Sequence, residues 1–294
     1  MRIFDPNQMP TRDVYQLLIG MVGPRPIALA STVDAQGKPN LAPYSFFNAF
    51  SSDPPMVVFS SNRRGADNTT KDTLHNIQAT GEVVINAVNY KILRQMALTS
   101  VEYPTEVNEF EKSGLTPLAS DLVKPFRVKE SPANMECKVE QILPLGEKGG
   151  AGHLIICRIV RFHVAEEVFD ANGRIDPHKM DLMGRLGRAY YVRAGGKAVH
   201  AVVQPLENTR LLGFDGLPEQ LRNSKILTGN ELSLLANLPE PPDAEAVQAA
   251  LQSQAVQAAL QHRQPRAALH RLVRQALKSG QLDQAAAIGW VNVR

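Results

Sequence analysis

Cysteine and long apolar runs are scarce in this chain. Its 294 residues contain two cysteines, Cys137 and Cys157, which lie far apart and form no CxxC pair. That number argues against a disulfide framework or a cysteine-rich zinc site and favours a reducing compartment. No apolar run approaches the ~18 residues of a membrane-spanning helix. The start, MRIFDPNQMP, has an acidic residue and two prolines where a signal peptide would be apolar. We therefore expect a cytoplasmic protein with no membrane partner.

Charge of one sign and the common catalytic motifs are also missing. The formal net charge is only +3, and the first 240 residues contain no basic stripe, so no nucleic-acid partner is expected. The histidines show no HxxxH or HExxH spacing, and we predict no metal site. Neither a GxGxxG fingerprint nor a Ser/His/Asp or Cys/His grouping occurs, which disfavours a Rossmann domain and hydrolase chemistry.

Short strand patterns separated by turn residues fill much of the first 168 residues. The predicted strands are PIALASTV (26–33), PNLAPYSFF (39–47), MVVFSS (56–61), EVVINAV (82–88), MECKVEQILPL (135–145) and HLIICRIVRFHVAEEV (153–168). The first two form a hairpin around Gly37, and the turn EKGGAG joins the last two. Helices are predicted at 10–21, from near Lys71 to Gly81, and at 90–100. This order predicts a mainly β protein, a small barrel with peripheral helices, rather than βαβ units.

A near-duplication marks the C-terminal region, where AVQAALQSQ is followed at once by AVQAALQHR within residues 246–263. Nine residues rotate a helix by about 900°, which is half a turn off register, so a continuous helix would place the repeated Val/Leu pairs on opposite sides. The helix is therefore either covered on both sides or broken near Ser253. An amphipathic helix is predicted after Pro265, with one apolar face made by Leu269, Leu272, Val273, Ala276 and Leu277.

The segment NLAPYSFFNAFSSDPPMVVFSS (40–61) has a composition that suits a binding site. Small hydroxyl, amide and aromatic side chains surround one loop, as a flat hydrogen-bonding ring with an attached anion would require. The candidates are Thr32, Ser45 and Asn48 for the ring edge and Phe46, Phe47 and Phe50 for an apolar wall. Because side chains alternate along a strand, Phe46 and Phe47 point to opposite faces, and at most one of them contacts the ring.

Candidates for the anion follow directly along the chain. They are Ser60, Ser61, Arg63 and Arg64 at a strand end, and Lys71, Asp72 and Thr73 at a helix start. Helix N-termini attract anions through free amides and the macrodipole. Asp72 is unexpected beside an anion, so we expect it to cap the helix or to orient Lys71 and Arg64. A solvated loop is the alternative for Arg63 and Arg64.

Five motifs together resemble the flavin reductase-like family of FMN-binding split-barrel proteins, which includes flavoredoxin. They are PRPIALAST (24–32), the segment 40–61, KDTLHNI (71–77), TGEVVINAV (80–88) and GRLGRAYYVR (184–193). The resemblance covers about residues 1–195. It implies a split β-barrel domain at 1–204, followed by an extension packed on the barrel at 205–242 and a helical C-terminal appendage at 243–294.

The resemblance also implies a cofactor and partners. It implies a homodimer with FMN at the subunit interface, NAD(P)H as co-substrate, hydride transfer to flavin N5, and a monooxygenase or another electron acceptor. The cofactor contacts that it implies, together with those argued above, are Thr32, Asn40, Ala42, Ser45, Phe47, Asn48, Ser60, Ser61, Arg63, Lys71, Asp72 and Thr73. Lys71, Asp72 and Thr73 match the family's phosphate loop.

Two alternatives remain open at this point. The chain is either a flavin reductase or a flavin-binding electron carrier or sensor with little turnover, whose helical tail binds a partner. A third hypothesis treats residues 243–294 as an interaction module in their own right. His178 is a weak catalytic candidate, because IDPHKM precedes GRLGRAYY and this loop could fold over the flavin. Asp176 and Arg185 are predicted to form an ion pair beside it.

Overall fold

A computed structural model describes residues 1–202 and 211–292. The chain divides into two compact units, Met1–His200 and Ala201–Arg294. The predicted domain boundary at 204/205 lies outside the described residues. Among the described residues, no helix combines the length and the apolar character that crossing a membrane requires.

The N-terminal unit is mainly antiparallel β-structure with short helices around it. Its strands are β1 (Arg25–Pro26), β2 (Ala28–Val33), β3 (Pro39–Tyr44), β4 (Phe47–Ser52), β5 (Pro55–Asn62), β6 (Glu82–Ala87), β7 (Pro117–Leu118), β8 (Arg127–Val128), β9 (Ala133–Pro144), β10 (Gly152–Val164), β11 (Met183–Leu186) and β12 (Tyr190–Arg193). Its α-helices are α1 (Thr11–Met21), α2 (Asp72–Thr80), α3 (Leu93–Leu98), α4 (Glu109–Ser113) and α5 (Pro177–Met180). The predicted mainly β class with peripheral helices is confirmed.

The main sheet must curl into a barrel, and its strand order shows why. Seven strands pair in the order β3-β2-β6-β9-β10-β5-β4, so the two edge strands are neighbours in sequence. In a flat sheet, strands about 4.8 Å apart would place these edges roughly 29 Å from each other. Only Ser45 and Phe46 connect them, and so short a connection spans roughly 10 Å. The sheet is therefore rolled, with a split between β3 and β4.

Both faces of β2 are buried, and its alternating side chains belong to different cores. Ala28 and Ala30 pack in the core that also holds Phe59 and Ile155. Leu29 belongs to a second core with residues such as Phe110 of α4. Because period-2 alternation sends neighbouring side chains to opposite faces, one strand anchors both cores. Thr32 follows on the same strand and is fully buried, which fixes its position.

The first predicted hairpin is confirmed as the pair of β2 and β3. Asp34 Oδ1 accepts hydrogen bonds from the amides of Gln36 (2.9 Å) and Lys38 (2.8 Å). Gly37 has φ +85°, a conformation that glycine adopts without a Cβ penalty. The second strand ends earlier than predicted, at Tyr44, and β4 is a separate strand that starts at Phe47. The difference arises because β4 pairs with β5 rather than continuing along β2.

The two cysteines are free and buried in the barrel core. Burial raises the pKa of Cys157 to about 12 and that of Cys137 well above its usual value. Thiols in this state are inert, because the thiolate is the reactive form. Both cysteines therefore act as small apolar core residues.

The C-terminal unit is helical, as predicted. Its helices are α6 (Glu219–Arg222), α7 (Gly229–Ala236), α8 (Ala244–Gln252), α9 (Gln254–Leu260), α10 (Pro265–Lys278) and α11 (Leu282–Gly289). The helix across the near-duplication breaks at Ser253, which is one of the two expected arrangements; the other was a continuous helix covered on both sides. The Ser253 side chain accepts from the amide of Val256 (3.3 Å) and thereby begins α9.

One hydrophobic core holds this unit together. It combines Leu221 and Leu235 with Val256, Leu269 and Val273, which are all almost fully buried. Residues 205–242 and 243–294 are predicted to be separate segments, whereas the described residues on both sides of that boundary share this core. The reason is that the two short helices before residue 242 are too small to bury their apolar faces alone.

Candidate functional site

A polar network joins the edge of the barrel to the start of α2. Asn40 lies opposite Thr32 in the β2–β3 register. Its Nδ2 donates to Thr73 Oγ1 (2.9 Å) and to Thr32 Oγ1 (3.3 Å). Asn76 Nδ2 donates to the same Thr32 oxygen (3.1 Å). Because these side chains are buried or half-buried, the network fixes the N-terminus of α2 against β3. It brings together three of the predicted residues: Thr32, Asn40 and Thr73.

The N-terminus of α2 is free to bind an anion. Lys71 is its N-cap residue and makes no side-chain capping bond. Among the described residues, the backbone N–H groups of Asp72 and Thr73 have no hydrogen-bond acceptor. Unpaired amides and the helix macrodipole both favour a negative group at such a position. The start of α2, where the sequence predicts an anion site, thus offers a set of unused donors.

Two cations stand beside this helix start. Burial lowers the pKa of Lys71, although the charge of Glu102 opposes this effect. Lys71 Nζ lies 5.5 Å from the centroid of the Tyr44 ring. Arg64 Nε lies 3.3 Å from Glu102 Oε1, and Arg64 Nη1 also donates to the carbonyl of Thr70 (2.6 Å). Arg64 is therefore held in place next to Lys71 rather than free in solvent.

These groups line a small cavity of about 80 Å³. Its walls are Asn40, Ala42, Pro43, Tyr44, Arg64, Lys71, Asp72, Thr73, Glu109 and residues 99–103. The volume is far below the roughly 300–1,000 Å³ of sites that enclose a whole small molecule. The cavity accommodates one compact charged group, and a larger ligand would extend out of it.

Two buried hydroxyls beside the cavity lack good hydrogen bonds. Tyr44 Oη and Ser61 Oγ have no partner of acceptable geometry among the described residues. The hydroxyls of Thr73 and Ser61 lie near Tyr44, whose pKa is raised by burial. Buried polar atoms without partners are uncommon and often mark a site for a ligand or water. Tyr44 was not among the predicted contacts.

Carboxylates also face the cavity. Glu109 Oε2 accepts from the amide of Leu41 (3.1 Å), and burial raises the pKa of Glu109. Asp72 accepts weakly from the Thr105 hydroxyl, with oxygen–oxygen distances of 3.4 and 3.5 Å. Asp72 is the first residue of α2 rather than its N-cap, and no side chain makes a capping hydrogen bond to this helix among the described residues. These acids moderate the positive potential that Lys71 and Arg64 create.

Of the other predicted contacts along the strands, some line the cavity and others do not. Ala42 pairs with Ala30 and lines the cavity. Ser60 is buried and donates to Asn62 Oδ1 (2.8 Å). Ser45 Oγ accepts from Arg25 Nε (3.4 Å) between β3 and β4. Asn48 is exposed on β4.

Phe47 and Arg63 lie elsewhere than the cavity. Phe47 packs against the barrel core, whereas Phe46 lies beside Tyr15 of α1, with ring centroids 6.4 Å apart. The predicted opposite orientation of the two phenylalanines is therefore observed. Arg63 is bound by Asn68, whose side-chain and backbone oxygens accept at 2.7 Å each. Of the two neighbouring arginines, Arg64 and not Arg63 lines the cavity with Lys71.

Phe46 and Arg63 line a separate, larger groove. It has a volume of about 1060 Å³ and runs between α1 and the turn 146–151. Apolar side chains of α1 such as Val14, Tyr15 and Leu18 form one wall. The groove and the cavity share no residue.

The loop around His178 differs from the prediction. His178 is exposed and lines neither the cavity nor the groove. Asp176 Oδ1 accepts from the amide of His178 (2.7 Å) and caps α5. The Arg185 guanidinium lies 4.6 Å from the centroid of the Tyr191 ring. Within the described residues, Asp176 and Arg185 form no ion pair, because each side chain is engaged by a nearer partner.

Three clustered side chains of the kinds that can ligate metal ions are joined by hydrogen bonds. Ligand atoms of Asp121, Glu136 and His163 lie within 4.8 Å of one another. The fully buried Glu136 accepts from the amides of Asp121 (2.8 Å) and Leu122 (2.6 Å) and bonds His163 Nε2 (2.6 Å). Burial acts against its ionisation, but these bonds together lower the pKa of Glu136. The group therefore serves as a buried, satisfied carboxylate.

The rolled antiparallel sheet with a split between β3 and β4 is the architecture of split-barrel proteins. The family model described as "Flavin reductase like domain" matches residues 22–180. The chain belongs to this family, and the resemblance in its motifs is confirmed.

Several proteins match about two thirds of this chain. An uncharacterized protein of Aquifex aeolicus is 40% identical over 184 residues, which are 63% of this chain and 91% of that protein. The structure of nitrilotriacetate monooxygenase component B from Bacillus cereus has a TM-score of 0.63 and 35% identity, covering 67% of this chain and 97% of that one. The 2-nitrobenzoate 2-nitroreductase of Pseudomonas fluorescens has a TM-score of 0.62 and 29% identity, covering 70% and 98%. About a third of this chain thus lies outside each match.

Proposed function

We propose that the chain is an FMN-binding oxidoreductase of the flavin reductase type that uses NAD(P)H as its electron donor. The observation that carries the proposal is the start of α2, where Lys71, Arg64 and two unused amides line one small cavity in a flavin reductase-like domain. When bound, FMN would supply the chemistry, by accepting a hydride at N5.

The residues of the cavity fit the phosphate of FMN. A phosphate monoester needs charge-assisted donors, and Lys71, Arg64 and the amides of Asp72 and Thr73 provide them. The cavity volume of about 80 Å³ suits this end of the molecule. The flavin ring would then lie outside, along the segment 40–48. Ser45 and Asn48 are proposed as its polar contacts.

The protein groups hold and orient rather than react. The carboxylates that line the cavity are those of Asp72, Glu102 and Glu109. Their proposed task is to balance the charges of Lys71 and Arg64. The buried network of Thr32, Asn40 and Thr73 would keep the phosphate donors fixed during turnover. His178 has no role in this proposal, because it is exposed and away from the cavity.

Turnover of reduced pyridine nucleotide tests the proposal. Purified protein should oxidise NADH or NADPH when FMN is added, and the rate should saturate with FMN. No oxidation with FMN, FAD or riboflavin would refute the reductase activity. A flavin absorption spectrum of the purified protein, or a saturable FMN titration, tests cofactor binding separately.

We propose two classes of acceptor. The name of component B assigns that relative to a monooxygenase system, and the second relative is named for reduction of 2-nitrobenzoate. A partner monooxygenase is supported by the first name and a nitroaromatic compound by the second. Anaerobic incubation with NADH, FMN and 2-nitrobenzoate distinguishes them, because a nitroreductase consumes the nitro compound faster than the same concentration of chemically reduced FMN does without protein.

We further propose a cytoplasmic homodimer with the flavin at its interface. Exposed apolar side chains on α1 support an interface, among them Tyr15 (47% exposed), Leu18 (44%) and Met21 (72%). Light scattering coupled to size-exclusion chromatography should give twice the 32.2 kDa chain mass. A monomeric mass at micromolar concentration would refute the assembly.

The electron carrier or sensor is the second candidate. It is favoured by the C-terminal helical unit, which has its own core and lies beyond the residues that the family model matches. Slow NADH oxidation combined with fast electron exchange with a protein donor would support this alternative over the reductase.

A further inference from the structure

A second cavity, of about 480 Å³, lies inside the C-terminal unit. It is formed by residues 219–226 and by the first turns of α10. Its volume falls within the range of sites that enclose small molecules, roughly 300–1,000 Å³. The three cations that line it are Lys225, Arg266 and Arg271, against one carboxylate, Glu219. The cavity is therefore electropositive.

The three cations are available to a ligand. Within residues 1–202 and 211–292, none of them takes part in an ion pair. Arg274 of the same helix shows the contrast, because it is held by Glu231, with Nε–Oε1 at 2.7 Å. Unpaired arginines gathered around a cavity are typical of recognition of phosphate or carboxylate groups.

The start of α10 adds backbone donors to the same cavity. This 14-residue helix has Pro265 at its first position, no side-chain cap from Gln264 and no acidic residue in its first turn. The amides of Arg266 and Ala267 have no acceptor among the described residues, and both residues line the cavity. The positive end of the helix dipole thus lies at this cavity and favours negative charge there.

His270 is the independent observation that points to a ligand. The residue is buried, with 6% exposure, yet it lines the cavity. The Ser224 hydroxyl accepts from the amides of Ile226 (3.1 Å) and Leu227 (3.0 Å). Its proton is therefore directed at His270 Nδ1, 2.8 Å away. The proton of a neutral ring must then sit on Nε2, and Nε2 has no partner among the described residues.

Burial, and then the charge of Arg266, lower the pKa of His270, which keeps the ring neutral at pH 7. A neutral imidazole of this tautomer offers one N–H donor and does not compete as an acceptor. The arginines, the two amides and the ring are therefore all donors, and Glu219 is the one carboxylate among the described residues that line the cavity. This excess of donors is complementary to an acceptor-rich anion.

We propose that this cavity binds the phosphate group of a small molecule. Arg266 and Arg271 contact the phosphate oxygens, the amides at the start of α10 complete the set, and His270 Nε2–H donates from the floor. A phosphate fits better than a carboxylate, because it offers three terminal oxygens to donors that converge from several directions. The site is distinct in sequence from the cavity at Lys71.

Inorganic pyrophosphate is the probe for the test. The full-length protein, labelled with ¹³C at its seven histidines, is titrated with pyrophosphate while the ring resonances are followed by NMR. His270→Gln assigns the His270 signal. We expect this signal to shift in a saturable manner. Arg266→Gln and Arg271→Gln should each weaken the apparent affinity by about tenfold, the typical effect of one charge-assisted hydrogen bond.

Arg263→Gln is the matched control, because Arg263 is exposed, carries the same charge and does not line the cavity. Its affinity should stay within about twofold of the unchanged protein. Citrate at equal ionic strength should bind more weakly than pyrophosphate. The proposal is overturned if the His270 signal does not move, if Arg263→Gln weakens binding as much as the cavity variants, or if citrate binds as tightly.

Discussion

Removing the charge of Lys71 should weaken FMN binding through the phosphate and not through the ring. In Lys71→Ala, the cation at the start of α2 is lost while Arg64, the free amides and the Asn40 network remain. A hydrogen bond to a charged group contributes roughly 1.5–3 kcal/mol. The lysine is partly desolvated, since burial lowers its pKa, so solvent screening of its interaction is limited. We expect a loss of about 1–3 kcal/mol, or roughly 5- to 150-fold in the dissociation constant.

Riboflavin separates the two parts of the cofactor, because it has the same ring and no phosphate. Flavin fluorescence is titrated with the unchanged protein and with Lys71→Ala, using FMN and riboflavin in parallel. FMN affinity should fall and riboflavin affinity should change by less than about twofold. An equal loss for both flavins would mean that Lys71 supports the ring or the fold, and an unchanged FMN affinity would mean that the phosphate binds elsewhere.

Three further changes probe the same site. Glu102→Gln should tighten FMN binding by about twofold, because the Glu102 carboxylate competes with the phosphate for Arg64. The side chain of Glu102 is 66% exposed, so its ion pair with Arg64 contributes well under 1 kcal/mol; the FMN titration measures the change in affinity. In the unchanged protein, FMN affinity should fall as pH rises through the pKa of Lys71, which burial lowers below 10.5. Lys71→Arg should keep its FMN affinity at alkaline pH, because arginine stays charged. FMN titrations at several pH values check both expectations. Asn40→Ala removes two hydrogen bonds and should cost roughly 1–2 kcal/mol of unfolding free energy in urea.

The strands were predictable from sequence because their signals are local. Alternating β-branched residues and the glycine at position 37 are enough to place β2, β3, β5 and β6. The break between β3 and β4 is not local. It depends on the closure of the sheet, in which the residues after Phe46 pair with β5. A single strand through 39–47 is what the local pattern alone supports.

The candidate site likewise contains residues that the local sequence predicts and residues that only the tertiary fold brings there. Lys71 and Thr73 are predictable, because a helix start after a strand is visible in the sequence. Glu109 contacts the amide of Leu41 from 68 residues away, and no spacing rule brings α4 to that edge. The neighbouring arginines could not be distinguished by pattern either. Their roles are assigned by Asn68, which engages Arg63 and leaves Arg64 beside the cavity.

The shared core of the C-terminal unit predicts where the chain can be cut. Deletion of 243–294 would remove Val256, Leu269 and Val273 from the core and leave five buried leucines without cover: Leu217, Leu221, Leu227, Leu232 and Leu235. At roughly 1.5–3 kcal/mol for each buried side chain, the loss is on the order of 10 kcal/mol, which equals the whole stability of a typical domain. We therefore expect this deletion to expose apolar surface, with dye binding and aggregation in light scattering. Deletion of 201–294 removes the complete unit, and the side chains of the two barrel cores come from residues 27–191, so this shorter protein should stay soluble and fold. If the deletion at 243 is the better-behaved of the two, residues 211–242 do not depend on the C-terminal helices for their core.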